Sequence, residues 1–371
     1  MLHVVRPVAG GIRKHLETIF SGINREKYLL YLAAPPSSEL LTALCPFAQK
    51  IFPVPIGEDL TLRDYWRVVH CLRRILKDEG IDLIHTHGVR AAVLGQMAAL
   101  GVSSARVVTT FHNSLDIEGS FFIFLRFVLG FLNRLAASQV IAVSHAVKYE
   151  ICRYLRVPSH RVEVIYNGIE PKEYQRQFSA PFTPLDFAED LPVVGTVARL
   201  EHRKGIRYLI KALPLIERKY KPVNCVVIGE GPERDALEKM VEELSLTDRV
   251  KFLGFQEDIV QFIRLFDVVV IPSVQEGQSI FCLEALACKR PVVASAVGGI
   301  PEIIRHEETG ILVPPADPEA IADAVITLLR DQEMAKRLAE TGQKLVFDKF
   351  TQEQMLIKTE EVYERVLDGR G

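Results

Sequence analysis

The chain has no Cys-x-x-Cys pair, no Asp-x-Asp motif, a single tryptophan and no internal repeat or low-complexity segment in its 371 residues. Without paired cysteines or a His/Cys cluster at zinc spacing, the sequence offers no structural zinc site. Six scattered cysteines, Cys45, Cys71, Cys152, Cys225, Cys282 and Cys288, read as reduced, mostly buried thiols of a cytosolic protein. No signal peptide is expected: the first apolar run, Leu2–Val5, is short and meets Gly10-Gly11. The most apolar stretch, Phe121–Leu132, carries Arg126 and falls short of the roughly 20 residues a spanning helix needs. It reads as a core helix or subunit contact. The alternative is an interfacial helix, given its phenylalanines and the following Arg134.

What is present is the balance of a soluble globular protein, with 48% hydrophobic and 25% charged residues. The length calls for two domains of roughly 150–200 residues. Charge is uneven. Residues 1–180 hold 21 Lys and Arg against 15 Asp and Glu, and the remainder holds 24 against 32. The basic half suggests an anionic partner, such as a phosphorylated acceptor or a membrane surface, unless it is ordinary surface variation.

Short apolar runs alternate with helical patterns. The runs are Leu2–Val5, Tyr28–Ala33, Leu83–Thr86, Arg106–Phe111, Gln139–Val143 and Val162–Tyr166, then Val193–Ala198, Cys225–Gly229, Val250–Leu253, Val268–Pro272 and Pro291–Ala294. Such runs predict parallel strands covered on both faces, hence an α/β chain of two doubly wound Rossmann-like domains. The proline-rich stretch Pro171–Leu191 reads as a linker between domains at 1–175 and 190–350, and Thr351–Leu367 as a final amphipathic helix.

Candidate chemistry is densest in the second half. Arg199 and Lys204-Gly205 follow a strand end, where α/β sheets present ligand-binding groups, and both cations suit an anionic oxygen cluster. Gly229-Glu-Gly231-Pro suggests a phosphate or nucleotide loop, or only a tight turn. Arg234 stands where the dinucleotide fingerprint needs a small residue, which counts against a nicotinamide or flavin enzyme. The segment Glu276-Gly277-Gln278-Ser279-Ile280-Phe-Cys-Leu-Glu284 places two carboxylates around a helix start expected near Ser279. Free N–H groups there suit a diphosphate, Glu284 about one turn in suits a ribose, and Glu276 faces the sugar.

These motifs, with Pro291-Val-Val-Ala-Ser-x-Val-Gly298-Gly299-x-Pro301-Glu302, occur in order and resemble family 4 of the retaining glycosyltransferases. The resemblance implies the GT-B fold, two Rossmann-like domains facing across a cleft with the C-terminal helix (residues 351–371) returning to the first. It extends to the N-terminal half. Gly10-Gly11-Ile-Arg-Lys-His15 resembles the first strand-to-helix loop, with Gly11 toward the donor and Gly10 toward the acceptor. His87 in Ile-His-Thr-His-Gly resembles an acceptor-side residue; as a metal ligand, the His85/His87 pair lacks a third partner. His112 resembles the histidine placed against the donor sugar. Val143-Ser144-His145 and Asn167-Gly168 match the approach to the domain junction, the latter a dipeptide that turns readily with φ > 0.

The implied activity is transfer of a hexose or N-acetylhexosamine, with retention, from a nucleotide-diphosphate sugar, UDP before GDP. The acceptor would be a polysaccharide precursor or lipid-linked molecule of the envelope. His112, Arg199, Lys204 and Glu276 would be catalytic, and Gly229, Gly231, Gly277, Gln278, Ser279, Ile280 and Glu284 donor-binding. No cofactor, metal or nucleic acid is expected, and the place is cytoplasmic or the inner membrane face. Gln278-Ser279 departs from some members, so the donor sugar does not carry over. Alternatives are a sugar-nucleotide epimerase or phosphorylase on the same fold, a silent sugar-nucleotide binder, and a nucleotide-dependent oxidoreductase, which the absent fingerprint disfavours.

Overall fold

The computed structural model describes residues 1–6, 10–36, 39–57, 60–102, 104–115, 128–132, 138–176, 187 and 191–369. Contacts divide the chain into two compact units, one of Met1–Asn167 with Gln352–Gly371, the other of Gly168–Thr351.

The first unit is a seven-stranded parallel sheet. Its strands are β1 (Leu2–Val5), β2 (Tyr31–Ala34), β3 (Lys50–Pro53), β4 (Leu83–His87), β5 (Arg106–Phe111), β6 (Ser138–Ala142) and β7 (Val162–Val164), in the order β3-β2-β1-β4-β5-β6-β7. Side chains alternate between its faces. Leu32 and Ala34 join one apolar cluster and Ala33 the other; Leu83 and Ile84 divide the same way. Both faces are covered, which is why the strands read as unbroken apolar runs. One face is roofed by helix α1 (Gly11–Gly22) and the C-terminal helix Gln352–Leu367. The latter buries Met355, Leu356, Thr359, Val362, Tyr363 and Val366, a stripe at helical spacing. Gly22 is where the two helices meet: a Cβ there would lie 2.4 Å from Leu356.

The second unit is a six-stranded parallel sheet. Its strands are β8 (Val193–Val197), β9 (Asn224–Ile228), β10 (Val250–Phe252), β11 (Val268–Ile271), β12 (Val292–Ser295) and β13 (Ile311–Val313), in the order β10-β9-β8-β11-β12-β13. Two helices of this unit carry candidate site residues, α2 (Pro171–Gln175) and α3 (Ile280–Ala287).

Eleven expected strands are present with shifts of a residue or so, except that Tyr28–Leu30 lie before β2. Two strands escaped the sequence reading, β3 and β13, and each is the edge of its sheet. An edge strand has one neighbour and a weaker demand for apolar residues; the β3 residues are exposed or half-buried. The expected linker is also corrected. Its first residues form α2, with Pro171 in the first turn and Tyr174 buried. Residues 177–186 and 188–190 lie outside the described residues, as do 121–127 of the Phe-rich stretch. Of the latter's remainder, Leu129 and Leu132 are buried and Phe131 is 62% exposed.

Packing at the centre of the second sheet is close. A Cβ on Gly195 in β8 would sit 2.1 Å from the fully buried ring of Phe266. Gly195→Ala is therefore expected to cost about 1–3 kcal/mol by overpacking, read as a lower urea midpoint. Phe266→Leu in the same chain should recover part of the loss. An unchanged midpoint in Gly195→Ala would show the packing to be looser than described.

Candidate active site

In the second unit the site is built from strand-to-helix loops. Glu276 lies in the loop after β11 and is buried, and Lys204 and Ser273 are among its partners. Lys204 Nζ donates to its Oε2 at 2.6 Å and Ser273 Oγ donates to the same oxygen at 3.1 Å. A buried carboxylate needs such partners, because the desolvation cost of a lone charge exceeds any local gain. Three residues on, Ser279 caps α3, its side chain accepting from Cys282 N. That serves one of the first-turn N–H groups that a helix leaves without internal partners. Ile280 opens the helix, and Gln278, Ser279 and Ile280 are all buried. Glu284, one turn in, accepts a hydrogen bond from Tyr174 of α2 at 3.1 Å. Burial, then the Glu284 charge, pushes the Tyr174 hydroxyl far above its ordinary pKa, so it stays a donor.

The loops are fixed by backbone packed on backbone. Gly298 has φ +52°, and a Cβ there would lie 1.7 Å from the Glu276 carbonyl oxygen. Gly299 N donates to Gly277 O at 2.9 Å, so the turn after β12 clamps the Glu276-Gly277 loop. At Gly229, with φ +128°, a Cβ would meet Ala198 O at 2.0 Å, and at Gly231 one would meet Leu200 O at 2.3 Å. These two glycines are thus required by protein backbone filling the space. The loop they form holds Arg199 in place through Leu200 N to Glu230 O, 2.9 Å. The Arg199 side chain is 58% exposed, with Glu201 at 3.9 Å.

In the first unit, Gly10 (φ 61°) is the N-cap of α1 and Gly11 its first residue, and among the described residues no side chain caps the N–H groups. Below them lies an array of five buried histidines: His3, His15, His85, His87 and His112. His3 Nδ1 is 3.1 Å from His87 Nε2, and His87 Nδ1 is 3.0 Å from His112 Nε2. His85 is held by Tyr363 OH at 2.6 Å and Thr110 Oγ1 at 2.7 Å. His15 Nδ1 meets Asn167 Oδ1 at 2.8 Å. Along the chain the His85/His87 pair has no third neighbour; folding supplies several. Ring nitrogens of His3, His85 and His87, and of His15, His87 and His112, lie within 4.8 Å of one another. Both His87 nitrogens are engaged inside the array, so the ring has none left for the acceptor expected to meet it. Asn167-Gly168 is corrected as well: neither residue has positive φ, and Asn167 acts through its side chain.

The structure brings together Lys204 with Glu276, and His87 with His112. Sequence reading gave no role to Ser273 or His15, which lie within its motifs, and did not single out Tyr174 or His3. The Glu170-Pro171 start of α2 was a signal for Tyr174, since proline in a first turn marks a helix. A groove of about 750 Å³ in the first unit is lined by Phe52, Arg63, Trp66, Arg67, His70 and Arg74 among others, with Trp66 63% exposed.

The histidine array makes stability depend on pH. Burial holds His3 down to about 3 and His15 to about 4, and holds His85, His87 and His112 well below the ordinary value. In the unfolded chain these rings titrate near 6.5. Below that pH the unfolded state binds protons that the native state does not, so stability is complete above about 6.5 and falls as pH drops toward 4. Urea midpoints should fall steadily from about pH 7 to pH 5, before most carboxylates titrate. A flat profile would show that the rings are not held neutral.

Two family profiles match the chain in order: Glycosyltransferase Family 4 over residues 9–173 and Glycosyl transferases group 1 over residues 180–345. The chain is 36% identical over 248 residues to an uncharacterised glycosyltransferase of Methanocaldococcus jannaschii, a match covering 65% of this chain and 63% of that one. It is 25% identical over 344 residues to the N-acetyl-alpha-D-glucosaminyl L-malate synthase of Bacillus anthracis, covering 88% of each. Anabaena HepE, solved with UDP-glucose, superposes with a TM-score of 0.81 at 24% identity, covering 98% of this chain and 99% of that one. That likeness shows the GT-B fold. With both profiles matched in sequence order over nearly its whole length, the chain belongs to family 4 of the glycosyltransferases.

Proposed function

We propose that the chain moves a hexose or N-acetylhexosamine from a UDP-sugar to an envelope-type acceptor, with retention and without a metal. The observation that carries this reading is the ion pair of half-buried Lys204 with buried Glu276, three residues before the cap of α3. Cleaving the bond between the anomeric carbon and the diphosphate leaves negative charge on the departing phosphate. Lys204, Arg199 and the N-terminus of α3 supply fixed positive charge or potential for it, which lowers the barrier without reorganisation at the moment of reaction. Exposed and bound only loosely to Glu201, Arg199 keeps its guanidinium open to a phosphate.

Glu276 serves the donor sugar and stabilises the developing positive charge on the ring. Glu284 takes the ribose hydroxyls, with Tyr174 orienting the carboxylate. His112 bonds a donor-sugar oxygen. Retention follows from attack on the face the diphosphate leaves, with the leaving phosphate accepting the acceptor's proton. HepE, solved with UDP-glucose, is a neighbour of the same fold, which favours a uridine donor here. The acceptor side draws on the groove beside Trp66, whose arginines and exposed indole suit an anionic lipid-linked molecule or the membrane surface that carries it.

Arg199→Ala should weaken UDP binding at least tenfold, about 1.4 kcal/mol, measured by calorimetry, with turnover falling in step. Unchanged affinity and turnover would remove the diphosphate role. In the same assay, wild-type turnover should survive excess chelator, and product NMR should show the donor's anomeric configuration. Loss of activity with chelator refutes the metal-free step, and an inverted product refutes retention.

A further inference from the structure

We infer that His3 and His87 are positioning residues: a hydrogen-bonded file of imidazoles, His3 to His87 to His112, fixes the tautomer of His112 that carries its proton on Nδ1, so that His112 meets substrate as a hydrogen-bond donor. The inference rests on the reading that His112 touches the donor sugar, and it adds His3, which no motif singled out.

The file follows from the sheet's register. His3 lies opposite His85 across β1 and β4, and His87 lies opposite Thr110 across β4 and β5. Residues two apart on a strand share a face, so His3 on β1, His87 on β4 and His112 one residue past the end of β5 rise diagonally across the sheet, each two residues further on than its neighbour's partner. Diagonal neighbours of this kind are within reach of ring side chains.

The rings point at one another. Ring centroids are 5.4 Å apart for His3 and His87 with nitrogens 3.1 Å apart, and 5.3 Å apart for His87 and His112 with nitrogens 3.0 Å apart. In both cases the difference, about 2.3 Å, is two ring radii, so centroid, nitrogen, nitrogen and centroid are nearly collinear. This is the geometry of N–H···N hydrogen bonds. A metal held by these rings would instead need their nitrogens aimed at a common point off that line.

Direction is set by the ends. A neutral imidazole has one N–H and one lone pair, and burial keeps all three rings neutral. His3 Nε2 is buried without a partner among the described residues. Were the protons to run from His112 toward His3, that nitrogen would be a buried N–H with no acceptor. Running from His3, the file leaves only a lone pair there, and an orphaned buried N–H is the rarer of the two. His3 Nδ1–H then donates to His87 Nε2, and His87 Nδ1–H donates to His112 Nε2. The His112 proton is left on Nδ1, which has no partner among the described residues and is not sealed from solvent. A neutral donor of this kind binds a sugar oxygen without bringing a charge beside the oxocarbenium-like carbon.

The test uses the full chain with 15N-labelled histidine and multiple-bond 1H–15N NMR, with His112 assigned by the signals missing in His112→Ala. The wild type should show His112 protonated on Nδ1. His3→Phe, which keeps a ring but loses the donor, should give a mixed or Nε2-protonated His112 and a kcat lower by roughly tenfold, the loss of one transition-state hydrogen bond. Donor KM should stay within about twofold. His3→Asn, which returns an N–H near the Nδ1 position, should restore both the tautomer and kcat. A wild-type His112 protonated on Nε2 overturns the inference, as does His3→Phe with the wild-type tautomer and kcat. If His3→Phe does not fold, the wild-type tautomer decides. Wild-type turnover in His112→Ala would refute the donor-sugar role of His112, an outcome separate from the NMR result.

Discussion

A polar group taken out of water must find its partners inside the protein, and both units of this chain are organised by that requirement. In the second unit the group is a charge. Glu276 is buried, and Lys204, 72 residues earlier in the chain, comes to it from the loop after β8. The ion pair therefore ties two different strand-to-helix connections together. The glycine contacts are its precondition: Gly298 against the Glu276 carbonyl, and Gly229 and Gly231 against Ala198 and Leu200, bring these loops closer than side chains would permit. In the first unit the groups are neutral. Five histidines gather where burial forbids charge; most of their ring nitrogens pair with one another or with Asn167, Thr110 and Tyr363, while His3 Nε2 and His15 Nε2 have no partner among the described residues.

The two solutions suit different demands of the proposed chemistry. A leaving diphosphate is an anion, and fixed cations with a helix N-terminus meet it at no reorganisation cost. A sugar ring developing positive charge is best approached by neutral hydrogen bonds and carboxylates. The ionic pair and the neutral file are thus two different answers to burial, one by opposite charge and one by paired neutral rings. The C-terminal helix takes part in the same pairing of buried polar groups, since Tyr363, a large side chain of its buried stripe, holds His85 inside the array.

By itself the sequence determined a good deal. Unbroken apolar runs alternating with helical periodicity specify buried parallel strands, and the two series specify two such sheets. The spacing of Glu276, Ser279 and Glu284 specifies a capped helix flanked by carboxylates, because helix geometry is local. What the sequence left open was decided by tertiary structure. The edge strand β3 carries little apolar signal because an edge is only half enclosed, and β13 is apolar but only three residues long, Ile311–Val313. Tyr174 was hidden in a proline-rich stretch whose partner, Glu284, lies 110 residues away. The histidines were visible singly, but nothing in a strand's own sequence says which residue of the next strand will lie opposite. Register is fixed only when every strand buries its faces at once, and only then do His3, His87 and His112 fall into line.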